Sequence, residues 1–446
     1  MIPAPIARWL SARPRSFQHG AHPDPHKDMT SGLAIEHMPL VDSYVLPLSQ
    51  HAGAPSKACV HVGERVRAGQ CVAEADGFHS VALHAPVSGT VEAIALRPHP
   101  SGGLSNAIVL RTDFFADHRV EHLPECDLSD HAAIVAQVQR GGVVGMGGAA
   151  YPAHEKLRLS TGKRVDVVIL NGAECEPYLT SDHRTMLEHP DAVVQGLTLI
   201  MRVLGAVQGK IGVEVNKADA IAALHAHIAD DPRMAVVPLQ VKYPEGAKQM
   251  MIEAVTGARV PLGGRSTDIH VTIHNVASSA GIFDACVRRV PVTERVITVT
   301  GPGVRRPANV LAKVGTRLAD LLAHCGGLTD AASTVILGGA MMGQAQVSLD
   351  APVVKATTGV LVLEEPPSRT HEAPCIRCGK CLDACAMFLN PTRLAALTRS
   401  GNVAGLTQQN VKACFECGSC AFVCPSHIPL TELIRTGKML VRKERT

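Results

Sequence analysis

The sequence predicts a multidomain protein of mixed α/β and α+β class. Its units in order are a small β unit, a Rossmann-like parallel α/β unit, a compact mixed unit and a cysteine-bearing helical tail. Three observations predict this. A chain of 446 residues exceeds one ordinary core, so two to four domains are expected. Between about residues 130 and 243, strand-length apolar runs alternate with helix-period stretches, the pattern of a parallel sheet covered on both faces. Near the C-terminus, CIRCGKCLDAC and CFECGSCAFVCP place eight cysteines in two near-copies of one spacing.

Composition narrows the class. Apolar residues make up 46% and charged residues 19%, as in a folded globular chain. Lysine plus arginine exceeds aspartate plus glutamate by only three, so bulk charge gives no reason to expect a nucleic-acid partner. No run approaches the ~18 apolar residues of a membrane span. The start, MIPAPIARWLSARPRSF, lacks the apolar stretch and cleavage site of a secretory signal. Residues 1–30 read as a basic N-terminal tail, a frayed end with a weak suggestion of membrane or partner contact. Of 14 cysteines, eight crowd near the end and the rest lie singly, which argues for a reducing cytosol and for metal.

The β unit is read from VHVGERVRAGQCVAEADGFHSVALHAPVSGTVEAI, short β-branched stretches separated by glycine turns. It resembles the barrel-sandwich fold of biotinyl and lipoyl carriers. The turn that would carry their lysine is EADGFHSV here, with no lysine to acylate, so the unit reads as a scaffold.

In the α/β unit, SDHAAIVAQVQRGG reads as a helix stopped at Gly141. VDVVIL (165–170), IGVEV (211–215) and AVVPLQVKY (235–243) read as strands, with helices at HPDAVVQGLTLIMRVLGA and KADAIAALHAHIAD between them. RVITVTGPGV, a short helix near LADLLAHCGG, STVILGG and VLVLEE make the mixed unit. EEPPSRTHEAP reads as a linker. In the tail, Asn390-Pro391 is a helix start, with asparagine as cap and proline in the first turn.

Each cysteine run reads Cys-x2-Cys-x2-Cys-x3-Cys. Three cysteines two residues apart wrap three corners of an iron–sulfur cube, and in two-cluster ferredoxins the fourth reaches across to the other cube. Cys375, Cys378 and Cys381 would then share one [4Fe-4S] cluster with Cys424. Cys414, Cys417 and Cys420 would share the other with Cys385. Zinc is the rival, but structural zinc uses paired cysteines, and the third at the same step is surplus in both runs.

Something must feed such clusters. GGVVGMGGAAYPAHEK (141–156) is a loop whose glycines let backbone N–H groups approach a phosphate, with Lys156 as a point charge; a structural turn reads equally well. NGAECEPYLTSDHRTM follows the strand VDVVIL, where ligands of open parallel sheets bind. Asn171, Glu174 and Glu176 emerge there, suited to a flavin edge and ribose hydroxyls, against the alternative of a solvated polar loop. Cys175 has no nearby base and reads as packing. His154 reads as surface, and Met341-Met342 as core or turn packing.

FQHGAHPDPHK, PLSQHAGAP, HAPVSGTV, GMGGAAYPAHEK, NGAECEPYLTSD, KYPEGAKQ, VPLGGRSTDI, NVAS, VTGPGVRRPANV and both cysteine runs together resemble the C subunit of the Rnf (Rsx) ion-translocating electron-transport complex. That family's central part is similar to the NADH-oxidising, flavin-bearing subunit of respiratory complex I. The resemblance implies an NADH-dependent oxidoreductase subunit of a translocase, with FMN and two [4Fe-4S] clusters as cofactors and NADH as substrate. It implies attachment to the cytoplasmic face of a bacterial inner membrane through other subunits, with ferredoxin or flavodoxin met elsewhere in the complex. By motif, Gly145, Gly147, Gly148 and Lys156 would follow the flavin phosphate and ring. Asn171, Glu174 and Glu176 would line the flavin and nucleotide pocket, completed by Asn275. Family members have G-G-A-G-F-P where this chain has GGAAYP, so Ala150 and Tyr151 depart from the pattern. The units would be a barrel-sandwich domain (31–112), an α/β flavin/NADH domain (113–285), a β-grasp module of the soluble-ligand-binding kind (286–365) and a two-cluster ferredoxin-like domain (366–446). The alternative function is an iron–sulfur relay or docking subunit without flavin.

Overall fold

The computed structural model of the chain describes residues 14–228, 231–364 and 371–444. In the first unit, strands Ser43–Pro47, Gly103–Thr112, Gly89–His99 and Arg65–Val66 form one antiparallel sheet. Lys57–Ala58, Cys71–Glu74 and Leu83–His84 form a second. Leu46, Val72, Val91, Ile108 and Leu110 fill the space between them. This is the barrel sandwich that the alternation of β-branched residues and glycine turns predicts.

In the α/β unit, four parallel strands lie in the order Met234–Leu239, Gln208–Glu214, Val167–Asn171, Val271–Asn275. Successive side chains on a strand point to opposite faces. Val168 and Leu170 therefore join helices Pro190–Leu204 and Ala218–Ile228 on one side, while Ile169 joins Lys248–Thr256 on the other. Fully burying each such side chain contributes about 2 kcal/mol. Helix His131–Arg140 is capped by the Asp130 carboxylate and stops at Gly141. Pro190 opens the longest helix of this sheet's cover, and Gly205, at φ +65°, closes it. The strand expected over 235–243 ends at Leu239, and Tyr243-Pro244-Glu245-Gly246 turns back over the sheet instead.

Residues 14–30, within the stretch read as a tail, are part of this unit. Arg15 pairs with Pro238 and Gln240, and Ala21 exchanges hydrogen bonds with Tyr243. The edge strand Met234–Leu239 carries unpaired backbone groups that this segment satisfies, which is why it is ordered. Residues 1–13 lie outside the described residues.

The β-grasp sheet has the order Ile35–His37, Ala308–Lys313, Glu294–Thr300, Gly359–Leu363, Thr334–Leu337, Gln344–Ala345. It packs on helix Leu318–His324 through Val310, Leu318, Leu321 and Val360. Its first strand comes from ahead of the barrel sandwich and pairs in parallel with Ala308–Lys313. Most of the expected linker, residues 365–370, lies outside the described residues. Beyond it, Pro391–Arg399, Val403–Gln408 and Leu430–Lys443 pack around Leu394, Leu406 and Ile434. The Asn390 side-chain oxygen accepts from the Arg393 N–H, the cap its sequence predicts. Among the described residues no helix is long and apolar enough to cross a membrane.

Candidate functional site

The carboxyl edge of the parallel sheet gathers the glycine loop and both asparagines. Asn171 and Asn275 end neighbouring strands and face each other in register. A Cβ on Gly147 would stand 3.2 Å from Asn275 Nδ2, so any larger residue would crowd the asparagine that the loop approaches. Gly148, at φ +101°, is exposed with open space where a side chain would be. Gly145 closes the loop, its N–H donating to the Tyr151 carbonyl and its own carbonyl accepting from Ala150. Asn275 caps helix Val276–Phe283 through Oδ1, while its Nδ2 donates to Asp182 at 2.6 Å.

Lys156 gives the clearest test of whether a phosphate-bearing flavin fits here. Its amine donates to the Ile273 carbonyl at 3.2 Å, and burial, with Lys248 nearby, pulls its pKa down to about 8. Among the described residues it has no carboxylate partner. Lys156 and the neighbouring Lys248 put positive charge near the end of strand Val271–Asn275, whose last residue faces the glycine turn at Gly147, and an anion would neutralise it. The residues present fit the group.

Asn171 donates to the Gly246 carbonyl and accepts from the Ala173 N–H, fixing the turn that follows its strand. Glu174 is buried, and its oxygens accept from Ser181 Oγ and the N–H groups of Asp182 and His183. It therefore caps helix Ser181–Glu188 and offers no free oxygen toward a ligand. Glu176 accepts from the Met341 N–H at 2.8 Å and lies 3.4 Å from the Tyr243 hydroxyl, with burial raising its pKa. Cys175 is half-buried, its sulfur accepting from the Gly246 N–H and its pKa raised by desolvation. His154, read as surface, is fully buried, with Nε2 2.7 Å from the Phe78 carbonyl. Its helix, Ala153–Leu157, packs that face against the barrel sandwich.

Several groups here carry no sequence motif of their own. Asp182 is buried beside Glu174, and burial together with that carboxylate raises its pKa to about 7. Glu214 and Lys217 form a fully buried ion pair at 2.5 Å. Lys27 is half-buried and donates to the carbonyls of Glu176 (3.0 Å) and Leu179 (2.5 Å), pinning the loop from the N-terminal segment. The Lys27 bonds join residues about 150 positions apart, beyond the reach of a local pattern. The one local signal is the Thr-Ser-Asp start of the helix that Glu174 caps.

In the tail, Cys385, Cys414, Cys417 and Cys420 line one cavity together with Leu389, Pro391 and Ile434. Cys424 lies near Cys381, which also neighbours Cys375. The two runs fold alike. Arg377 and Glu416 both take positive φ, and each donates its N–H to the sulfur two residues back, Cys375 at 3.4 Å and Cys414 at 3.3 Å. Phe388 and His427, three residues past the fourth cysteine of each run, also take positive φ. Burial raises the thiols of Cys414 and Cys420 to about 11 and about 12, so they deprotonate readily only against bound cations. Cys385 of the first run stands with Cys414, Cys417 and Cys420 of the second around one cavity. A polynuclear cluster fits that spread.

The tail meets the sheet edge through Tyr243, whose hydroxyl donates to the Cys417 carbonyl at 2.6 Å. Gly418 lies against Met341, which is bonded to Glu176.

Four regions match known domain families. Residues 15–114 match the RnfC barrel sandwich hybrid domain, 138–284 the Nuo51 FMN-binding domain, 296–345 the SLBB domain and 373–428 the 4Fe-4S dicluster domain. Among solved structures, the NAD+-reducing [NiFe]-hydrogenase in its air-oxidized state shares the fold at a TM-score of 0.50 and 17% identity, over 71% of this chain and 63% of that one. The chain is 41% identical to the C subunit of the proton-translocating ferredoxin:NAD(+) oxidoreductase complex of Clostridium ljungdahlii, over 86% of this chain and 84% of that one. It is 38% identical to the Na(+)-translocating counterpart of Acetobacterium woodii, over 86% and 88%. It is 37% identical to the C subunit of the ion-translocating oxidoreductase complex of Rhodobacter capsulatus, over 96% and 84%. Identity of this extent across nearly the whole of both chains is that of one family, and the chain belongs to the RnfC family, the C subunits of ion-translocating oxidoreductase complexes.

Proposed function

We propose that the chain is the NAD(H)-facing electron-transfer subunit of an ion-translocating membrane complex. FMN, when bound, supplies the exchange between a two-electron hydride and single electrons, and iron–sulfur clusters carry such electrons one at a time. The chain's own residues do the rest. Gly147, Gly148 and Lys156 would hold the phosphate end, with Gly145 closing the loop. Asn171 and Asn275 would orient the flavin at the sheet edge. Glu174 acts as a positioning residue through the helix it caps, and Glu176 borders the nucleotide side. Cys375, Cys378, Cys381 and Cys424 would ligate one cluster, and Cys414, Cys417, Cys420 and Cys385 the other.

The single observation carrying this reading is the Tyr243 hydroxyl, 2.6 Å from the Cys417 carbonyl and 3.4 Å from Glu176. It joins the sheet edge to the second cysteine run, so the cluster of Cys417 takes the inner place. Cys375 and Cys378 are exposed, which gives their cluster the outer place, toward a partner protein of the complex. The division into four domains, the peripheral seat on the cytoplasmic face of the inner membrane and the role in ion translocation belong to the same proposal.

Anaerobically purified protein, extracted with acid, tests it. Non-covalent FMN, together with roughly eight irons and matching acid-labile sulfide, is the expected result. Brown protein without flavin would leave only a relay, and zinc without iron would remove both roles.

A further inference from the structure

Behind the glycine loop, on the far side of helix Val276–Phe283, lies a cavity of about 240 Å³. It separates the flavin-type unit from the first strands of the β-grasp sheet and plays no part in the site described above. Met146, Ala280 and Leu311 give it apolar walls, with Asp284, Arg288 and Arg295 among its polar lining. The turn Asp284–Arg288 on its border is π-helical, a rare geometry found mostly at functional sites.

The polar groups are unequally committed. Arg288 is held by Asp284 at 3.0 Å and Asp191 at 2.8 Å. Glu294, also in the lining, is taken by Lys313 at 2.5 Å. Arg295 is different. It is 5% exposed, and its terminal nitrogens reach only the Met146 sulfur and the carbonyls of Met146 and Thr357. Its Nε has no hydrogen-bond partner among the described residues. Asp182 acts on its charge from a distance, without an ion pair between them. A guanidinium buried with neither a paired counter-ion nor a full set of acceptors is costly unless something else completes it.

We propose that this cavity binds a small monocarboxylate with a short apolar chain, its carboxylate on Arg295 and its chain against Ala280 and Leu311. One charge suits the site. Asp284 and Glu294 at the wall oppose a more highly charged anion such as phosphate, and the apolar lining favours a hydrocarbon body. The ligand sits against the glycine loop itself, because Arg295 also holds the carbonyl of Met146, between Gly145 and Gly147.

The test uses the full-length, anaerobically prepared protein, with butyrate as probe and inorganic phosphate as control. Saturable one-to-one butyrate binding, on the order of millimolar or tighter, is expected by calorimetry, with a matching rise in melting temperature. Ala280→Leu, which fills the cavity, should abolish both, and Leu311→Phe at its half-buried wall should do the same if the first variant folds poorly. Arg295→Lys should weaken binding by about tenfold, because an ammonium on a flexible stem cannot reproduce the planar guanidinium's several donors. No saturable butyrate binding, unchanged binding in the filled variants, or saturation by phosphate in place of butyrate would each overturn the assignment.

Discussion

The hydroxyl of Tyr243 donates to the backbone carbonyl of Cys417 at 2.6 Å, across the junction between the parallel sheet and the cysteine-rich tail. The ring itself is 1% exposed. Tyr243→Phe leaves a carbonyl without its donor beside the second run, at a cost of about 1–2 kcal/mol. The expected result is a lower melting temperature with unchanged flavin and iron content, and slower arrival of electrons at the clusters in stopped-flow traces with NADH. Unchanged electron arrival would separate this contact from the transfer path.

Ala150 stands at φ +49°, where the family pattern has glycine. A Cβ in the left-handed region costs roughly 1–2 kcal/mol. Ala150→Gly should therefore raise unfolding stability by about 1 kcal/mol in chemical denaturation. A loss of stability would mean that the alanine methyl packs better than its backbone is strained. Tyr151, the other departure, donates its hydroxyl to Glu155 at 2.6 Å within the same turn.

Lys156, on helix Ala153–Leu157, is half-buried and has no carboxylate partner among the described residues. Lys156→Met should weaken FMN binding about tenfold while leaving riboflavin, which has no phosphate, unaffected. Equal losses for both flavins in fluorescence titrations would show that the lysine supports the fold and not the phosphate.

Glu245 is fully buried, and neither carboxylate oxygen has a partner among the described residues. Burial, with Glu214 nearby, raises its pKa from 4.5 to about 9. The folded protein therefore holds a proton that the unfolded chain releases above pH 4.5. The stability this group contributes is fully present below pH 4.5 and is lost as pH rises through 9. Glu245→Gln, neutral at every pH, should make the protein more stable than wild type at pH 8 and little changed at pH 4.5, read by denaturant melts. A parallel pH dependence in both proteins would rule the group out.

Cys378 lies exposed in the first run. Cys378→Ala should remove one iron–sulfur signal from the spectrum while NADH still bleaches the flavin, and electron delivery to an external acceptor should fall. Normal delivery would place the exit elsewhere.

Local patterns carried much of this architecture. The alternation of VDVVIL, IGVEV and their intervening helices gave the parallel sheet, and Gly141 and Asn390 marked helix ends that the structure keeps. The strands Val271–Asn275 and Ala308–Lys313 escaped notice because polar Thr272, His274 and Asn309 interrupt their apolar pattern, yet all three are buried. Asn309 donates instead to the carbonyls of Thr30 and Leu33. The cysteine spacing suggested how each run would loop, and the contact of Cys385 with the second run, like that of Cys424 with Cys381, joins residues from both runs. The roles of Lys27, Asp182 and Arg295 were illegible, since each is defined by partners far away in sequence.

The pairing of residues 15–21 with the sheet's outer strand has a consequence for synthesis. Arg15 donates its guanidinium to the carbonyl of Val255, 240 residues further on. A ribosome must therefore release more than half the chain before the first segment it made finds its resting place. Until then the backbone groups of residues 15–21 can find partners only in water.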